Sequence, residues 1–526
     1  MGNAELLIAG LLVGVAGLGA IARWLSIPYP IVLVVGGGLF GFIPGVPAVK
    51  LNPSIVLVVF LPLLLYATAF FANLGDIRAN LRGLTLVSVG LVLATMCAVA
   101  VVGHELVGIP WSGAFVLGAV VSPTDPLAAG VVMRRLDVPR RLVSGVEGEG
   151  MFNDATALVV YRVAVGAVVG GTFSLGHAAL SLILDAAAGI AIGLVVGWVF
   201  AEIRKRTPDP QLSITISLLT GYAAFIPADA VGASGVLAVV TAGIYMGLRG
   251  PSIISARTRL QGFFVWDILD FLINATLFVL VGLQLRTIVR SLSGFSASTL
   301  IGWALAISGV VVVTRLVWFF TMPYLVRLLD RRASQRARRL LARDRLVLGW
   351  SGMRGAVSLA AALALPLTTH HGAPFPKRDL ILFLTFAVIF STLVVQGLSL
   401  PALIRTLGIS DEGAAEDEEL RARLGATRAA LAQIDALSAE EWTRDDTIER
   451  MRALYEYRKR RLAARAGKIE DDGYEDRSLA YQQAVQIVLG AQREALVQLR
   501  REGTISNETM HRVIRELDLE ESRLEI

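Results

Sequence analysis

The chain lacks what a disulfide scaffold or a charged soluble surface requires. It has one cysteine, Cys97, in 526 residues. No intrachain disulfide can form, and an oxidising compartment has left no mark on the sequence. Charged residues make up only 17% and histidines number five, whereas an ordinary soluble domain is about 25% charged. The stretch from Met1 to Ile8 has neither a basic start nor a small-residue cleavage site. It reads as the opening of a retained first span rather than a signal peptide.

Apolar residues fill the gap. They reach 55%, and the mean hydropathy is +0.64. A soluble core cannot use so many, but a polytopic membrane protein can. Apolar segments long enough to span fall at about 4–23, 29–44, 53–73, 83–104, 112–133, 142–171, 176–202, 211–227, 232–248, 263–285, 297–326, 346–368 and 379–407, giving 13 spans.

The net charge of +6 conceals two opposite parts. From Ser410 onward there are 19 basic and 26 acidic residues, a net of −7, which leaves +13 on residues 1–409. The basic residues lie in short loops between apolar runs, so they point to a membrane and not to nucleic acid. With the N-terminus outside, inner loops collect 21 Lys and Arg, among them Arg23, Arg78, Arg82, Arg134, Arg135, Arg140, Arg141, Arg204 and Arg331. Outer loops hold five: Lys50, Arg286, Arg290, Lys377 and Arg378. The positive-inside rule then places the tail in the cytoplasm. Residues 1–409 read as the transmembrane domain and 410–526 as a helical cytoplasmic tail. In the tail an acidic linker, Asp411 to Glu419, precedes amphipathic helices over Leu420–Ala464 and Ser478–Ile526, parted by a turn region at Gly467–Gly473.

Against this background Gly148-Glu149-Gly150-Met151-Phe152-Asn153-Asp154-Ala155-Thr156 stands out. It places two carboxylates and an amide inside an apolar run. Ionisable groups at bilayer depth are costly and mark ion or proton pathways. Counted from Leu142 at 1.5 Å per residue, Asp154 lies about 18 Å deep and Glu149 about 10 Å. The hydrocarbon core is about 30 Å thick, so Asp154 is near its middle.

Span 5 runs the other way and carries Ser122-Pro123-Thr124-Asp125-Pro126 at a similar depth. The two prolines deprive the carbonyls of Ala119 and Ser122 of helical partners. Unwound backbone is tolerated at this depth only inside protein or along a wet cavity. Freed carbonyls and the Thr124 hydroxyl suit a small hard cation, which takes oxygen ligands. Span 12 carries Gly349-Trp350-Ser351-Gly352-Met353-Arg354-Gly355, weakened by three glycines. Arg354, and Arg315 in span 11, are buried cations that need an anion, and Glu149 is the evident partner.

Spans 5 and 12 are seven apart and cross in opposite directions, as an inverted repeat requires. The halves are then about 4–171 and 211–407, with 176–202 as linker. Two interrupted helices at matched positions point to a transporter's midplane site. Other polar groups read as local. Glu147 is a mouth residue, a loop contact or a relay, Arg162 snorkels, Asp267 and Asp270 stabilise the start of span 10, and Asn274 serves packing or the core. His104, His370 and His371 fall in outer loops.

These motifs, with Gly352-Met353-Arg354-Gly355-Ala356-Val357-Ser358, resemble the monovalent cation/proton antiporters of the bacterial NhaP and animal NHE branch, over about residues 5–408. The resemblance implies an all-α fold like NhaA and NhaP, with two broken crossing helices, assembled as a homodimer in the cytoplasmic membrane. It implies that Asp154 carries the cation or the proton, with Na⁺ at Asp154 and Thr124. Asn153 stands where electrogenic relatives have a second Asp, and Asp125 offsets the dipoles of the broken helices. Glu149 pairs with Arg354, with Arg315 as a further cation, and Ser122 belongs to the site. Gly150 replaces the usual Ser, which removes a hydroxyl ligand or leaves its place to water.

The implied activity is exchange of Na⁺, Li⁺ or K⁺ for H⁺, one for one, by alternating access. It needs no cofactor, since Na⁺ and H⁺ are cargo. The partners are lipid, a second copy, and whatever ligand the tail takes. Three other readings compete: a cation channel, a membrane-embedded aspartyl enzyme using Asp125 and Asp154, and a tail-driven sensor.

Overall fold

In the computed structural model the described residues are 3–25, 27–43, 56–72, 75, 83–170, 175–292, 294–329, 340–370, 372–411, 413–470 and 472–522. The basic positions Lys50, Arg78, Arg82, Arg331, Arg332, Arg336, Arg338 and Arg339, and also His371, lie outside them. The chain divides into two compact units, Met1–Ser410 and Asp411–Ile526. Both are helical, and the described residues contain no strand, only an isolated bridge between Thr368 and Pro374.

In the first unit the helices are α1 (Asn3–Leu25), α2 (Tyr29–Phe42), α3 (Leu61–Phe71), α4 (Val92–Glu105), α5 (Trp111–Val121), α6 (Pro126–Arg135) and α7 (Arg140–Gly170). There follow α8 (Leu175–Lys205), α9 (Pro210–Ala230), α10 (Gly235–Ile253), α11 (Ala256–Leu283), α12 (Leu285–Ser291) and α13 (Ala297–Leu329). The last are α14 (Ala342–Trp350), α15 (Ala356–Leu363), α16 (Arg378–Ser391) and α17 (Gly397–Thr406). Single π-helical turns lead into α3 and α4 and join α16 to α17. Among the described residues nine helical stretches are long and apolar enough to cross a membrane, and three shorter apolar helices accompany them.

Local sequence sets the helix starts. Asp209 caps α9 through the Leu212 N–H at 2.7 Å, ahead of Pro210. Ser234 caps α10 and Ser255 caps α11 through the Thr258 N–H. Each supplies an oxygen to a backbone donor that the helix itself leaves orphaned. The Ser255 cap corrects the sequence reading of Asp267 and Asp270. Their helix begins at Ala256, so both sit inside it, a full two turns or more from its N-terminus.

Helix α7 lies at the centre. Leu142 and Val146 join a core with Met133, Val347, Met353 and Ile389. Val160 and Tyr161 join a second core with Leu117, Val121, Ile307 and Val388. Met151 and Ala155 join a third with Tyr66, Val239 and Trp266. The middle of α7, from Glu149 to Asp154, is therefore held where the three cores meet. Outward faces are apolar in the manner of a lipid-facing surface: on α8, Leu180, Ile183, Leu184, Leu194, Val195 and Trp198 are all exposed.

The second unit has four helices rather than two long amphipathic ones: α18 (Ala414–Leu437), α19 (Asp445–Arg465), α20 (Tyr474–Arg501) and α21 (Asn507–Glu521). The acidic run expected as a linker already forms the first turns of α18, where Glu416 and Asp417 face the helix N-terminus favourably. Ion pairs tie neighbours: Arg452 to Asp435, Arg461 to Glu475, and Arg493 to Asp518 and Glu521. Arg461 holds the Glu475 carboxyl below its ordinary value, so that contribution is present at neutral pH and fades as pH falls through the carboxylate range.

Candidate ion site

The helical breaks occur in both places that proline and glycine mark. Ser122 to Asp125 separate α5 from α6, and Ser351 to Gly355 separate α14 from α15. In an unbroken helix the Val121 carbonyl would take the Asp125 N–H. Here the Asp125 N–H donates to the Met353 carbonyl at 2.7 Å, and Arg354 Nε donates to the Val121 carbonyl at 3.0 Å. Each break satisfies the other's orphaned groups. Ser122 Oγ donates to the Ala119 carbonyl at 2.9 Å, closing the vacancy that Pro123 leaves.

Charges complete the crossing. The C-terminal end of α5 meets Arg354, while that of α14 meets Arg315, whose Nε and Nη2 donate to the Leu348 carbonyl at 3.2 and 2.9 Å. Cations belong at helix C-termini. The N-terminal ends of α6 and α15 share one carboxylate. Asp125 Oδ1 accepts from the Leu127 N–H at 2.9 Å, and the Asp125 carboxylate lies so close to Gly355, the residue capping α15, that a Cβ there would overlap it.

Glu149 on α7 sits beneath. Its carboxylate is gripped by both terminal nitrogens of Arg315, at 2.8 Å for Nη2 to Oε2. It also accepts from Thr124 Oγ1 at 3.0 Å. This corrects the expected partner ranking. Arg315, not Arg354, pairs with Glu149, because the Arg354 donors are drawn to Val121 and Gly352 carbonyls by the breaks. Both arginines are fully buried. Thr124 Oγ1 accepts in turn from Asn153 Nδ2 at 2.6 Å. Asn153 Oδ1 is buried and has no hydrogen-bond partner among the described residues.

Asp154 lies beyond this network, and no hydrogen bond to it is formed among the described residues. It lines a cavity of about 70 Å³ with Thr124, Asp125, Thr68, Asp270, Asn274 and Ser358. A wider cavity of about 730 Å³ shares Thr68, Pro126, Leu127, Met151 and Asp270 with the first. Its polar lining includes Arg134, Ser144, Glu147 and Asp267. Glu147 is paired with Arg134 there. Gly150 also lines the inner cavity, and a Cβ on it would strike the Pro126 ring. The glycine lets α6 start close against α7.

So the structure gathers Ser122, Thr124, Asp125, Glu149, Asn153, Asp154, Arg315 and Arg354 around one crossing. Sequence reasoning underrated three residues in the inner cavity. Asp270 and Asn274 share it, with Asn274 Nδ2 donating to Asp270 Oδ1 at 3.1 Å. Their four-residue spacing on one helix face, twelve or more residues from a cap, was the available signal. Ser358 carried none beyond its place after the second break. Arg162 departs from simple snorkelling: it pairs with Asp229 at 2.5 Å.

Residues 7–406 match the family model described as sodium/hydrogen exchanger, transmembrane. The chain belongs to the sodium/hydrogen exchanger family. This is a family of cation/proton transporters, not enzymes, so the aspartyl-enzyme and channel readings are set aside. The chain is 37% identical over 501 residues to an uncharacterized Na⁺/H⁺ exchanger of Mycobacterium tuberculosis, covering 94% of this chain and 91% of that one. It is 32% identical to the sodium, potassium, lithium and rubidium/H⁺ antiporter of Bacillus subtilis, over 72% of this chain and 58% of the relative. It is 30% identical to the low-affinity Na⁺/H⁺ antiporter NhaS1 of Synechocystis, over 78% and 76%. The fold is that of the sodium proton antiporter MjNhaP1 of Methanocaldococcus jannaschii, with a TM-score of 0.58 at 18% identity, covering 77% of this exchanger and 99% of that chain.

Proposed function

We propose that this exchanger moves one Na⁺, or Li⁺ or K⁺, against one H⁺ at Asp154. The observation that carries the reading is the isolation of Asp154. It faces a narrow cavity at the crossing of two broken helices, while its neighbour is an amide already committed to Thr124. One carboxylate holds either a proton or a cation. Exchange is obligatory if only the occupied, neutralised site changes access. Thr124 keeps one lone pair after its two hydrogen bonds, and Asn153 Oδ1 is unspent, so both offer oxygen beside the carboxylate. Asp125 holds the two helix N-termini, and Glu149 with Arg315 and Arg354 holds the crossing rigid.

Thirteen crossings are the reading we adopt, with the nine long and three short apolar helices among the described residues and the broken pair α14–α15 in its support. The halves are about 4–171 and 211–407, with α8 as linker, and 410–526 forms the tail. With the N-terminus outside and the tail in the cytoplasm, Arg134 and the wide cavity face inward. Access would alternate as one bundle rocks against the other. The setting is the cytoplasmic membrane, the assembly a homodimer, and the role sodium and pH homeostasis. The Bacillus subtilis relative's name includes potassium, which makes K⁺/H⁺ exchange the second reading.

The test is proton flux in proteoliposomes on adding each alkali cation, with the potential clamped. Wild-type protein should exchange without a transport current, and Asp154→Asn should be inserted, folded and inactive. Exchange that persists in Asp154→Asn sinks the mechanism. A rate that follows the clamp means a second acid cycles, since one charge across 100 mV is worth about 2.3 kcal/mol.

A further inference from the structure

Ser358 sits in the first turn of α15, just past the second break. Its residue is 1% exposed. Its hydroxyl is buried with no hydrogen-bond partner among the described residues, although it borders the same small cavity as Asp154. An unsatisfied buried hydroxyl is costly and is normally paired. The backbone offers it no cap role, because Gly355 precedes α15 without a side-chain cap. Meanwhile α7 brings no hydroxyl to this part of the wall. Gly150 stands there, and the Pro126 ring excludes any side chain. In the two breaks, Ser122 spends its hydroxyl on the Ala119 carbonyl and Ser351 on the Leu348 carbonyl.

We infer that Ser358 is a ligand of the transported cation, supplying a hydroxyl oxygen from the second broken helix opposite the Asp154 carboxylate. This rests on the reading of Asp154 as the exchange site. A hydroxyl suits both halves of such a cycle. It turns a lone pair to a hard alkali cation, and it donates to, or accepts from, the carboxyl group when the cation has left. The ligand set then spans both breaks, with Thr124 from the first and Ser358 from the second. Movement of either break therefore changes cation affinity. This gives the repeat symmetry a direct role in binding, since separating the two breaks disassembles the site.

Three variants test the assignment in proteoliposomes: Ser358→Ala, Ser358→Cys and Asp154→Asn. Ser358→Ala should raise the apparent KM for Na⁺ by about five- to thirty-fold, the size of one lost hydrogen-bond-strength contact, with the maximal rate little changed. Ser358→Cys keeps the shape and exchanges a hard oxygen for soft sulfur. It should weaken Na⁺ similarly while shifting preference toward Tl⁺, a soft monovalent cation. Should Ser358→Ala fail to insert, Ser358→Cys carries the test alone. An unchanged KM in both variants overturns the inference. So does a raised KM without any change in the Tl⁺ to Na⁺ ratio of Ser358→Cys, which is a packing effect. Exchange surviving in Asp154→Asn would instead remove the underlying reading. Inactive Asp154→Asn beside unaltered Ser358 variants removes only the role of Ser358.

Discussion

The Asp125 amide reaches the Met353 carbonyl across the crossing at 2.7 Å. These two residues are 228 positions apart in sequence, and each belongs to a broken helix. The bond replaces one that Asp125 would have made to Val121, and Arg354 fills the place left at Val121. The crossing is thus a closed exchange of backbone partners. Buried backbone groups must be paired, and in a membrane each unpaired group costs several kcal/mol. Two helices can be unwound at this depth because each serves as the other's partner.

The Glu149–Arg315 pair should dominate the stability of the crossing. Removing Arg315 leaves a buried carboxylate uncompensated and strips the cap from Leu348, at a cost of about 3–5 kcal/mol. Thermal unfolding of Arg315→Ala, Glu149→Gln and the double variant should show strong coupling. The same cycle with Arg354 should show weaker coupling, because Arg354 serves carbonyls. Equal coupling in the two cycles would contradict the observed pairing.

Gly355 should be intolerant of the smallest side chain. A Cβ there overlaps the Asp125 carboxylate, whereas the closest atom to one at Gly349 is the flexible end of the Leu316 side chain, with the Leu316 backbone and Phe319 at ordinary contact distance. Gly355→Ala should lower the melting temperature by more than Gly349→Ala, consistent with about 1–3 kcal/mol for overpacking, and should suppress exchange. Matching melting curves for the two would show that Asp125 moves aside freely.

Asp270 borders both cavities. A negative group along the access route raises the local concentration of cations. Asp270→Asn should raise the apparent KM for Na⁺ several-fold, most visibly at low ionic strength, without abolishing exchange. Initial rates measured across salt concentrations would decide. A KM unchanged at low salt removes Asp270 from the route.

Protons and cations should compete. Below the pKa of Asp154 the apparent Na⁺ affinity should fall about tenfold per pH unit, since one proton displaces one cation. Na⁺ titrations at a series of pH values in proteoliposomes give the slope. A slope near zero would mean that the two ions bind separate groups.

The sequence by itself determined the class of protein and the spans in which its buried charged groups lie. Long apolar runs require helices when no water is present to satisfy the backbone. Carboxylates, prolines and glycines inside such runs stand out because each is expensive there. That is why Asp154, Thr124, Asp125, Glu149, Arg315 and Arg354 could be named from the chain alone. What only the tertiary structure decided is who pairs with whom. Arg315 and Arg354 lie at similar depth and carry the same charge, so spacing could not tell which one meets Glu149. The answer came from two carbonyls, at Val121 and Leu348, that become acceptors only once the helices break. Spacing put Asp270 and Asn274 on one helix face, but it could not show that this face, or Ser358, borders the Asp154 cavity. A span's starting residue fixes its depth, and α11 begins at Ala256 because Ser255 caps it. Which faces of α11 and α15 turn toward Asp154 depends on packing between helices far apart in sequence, and no local pattern encodes that.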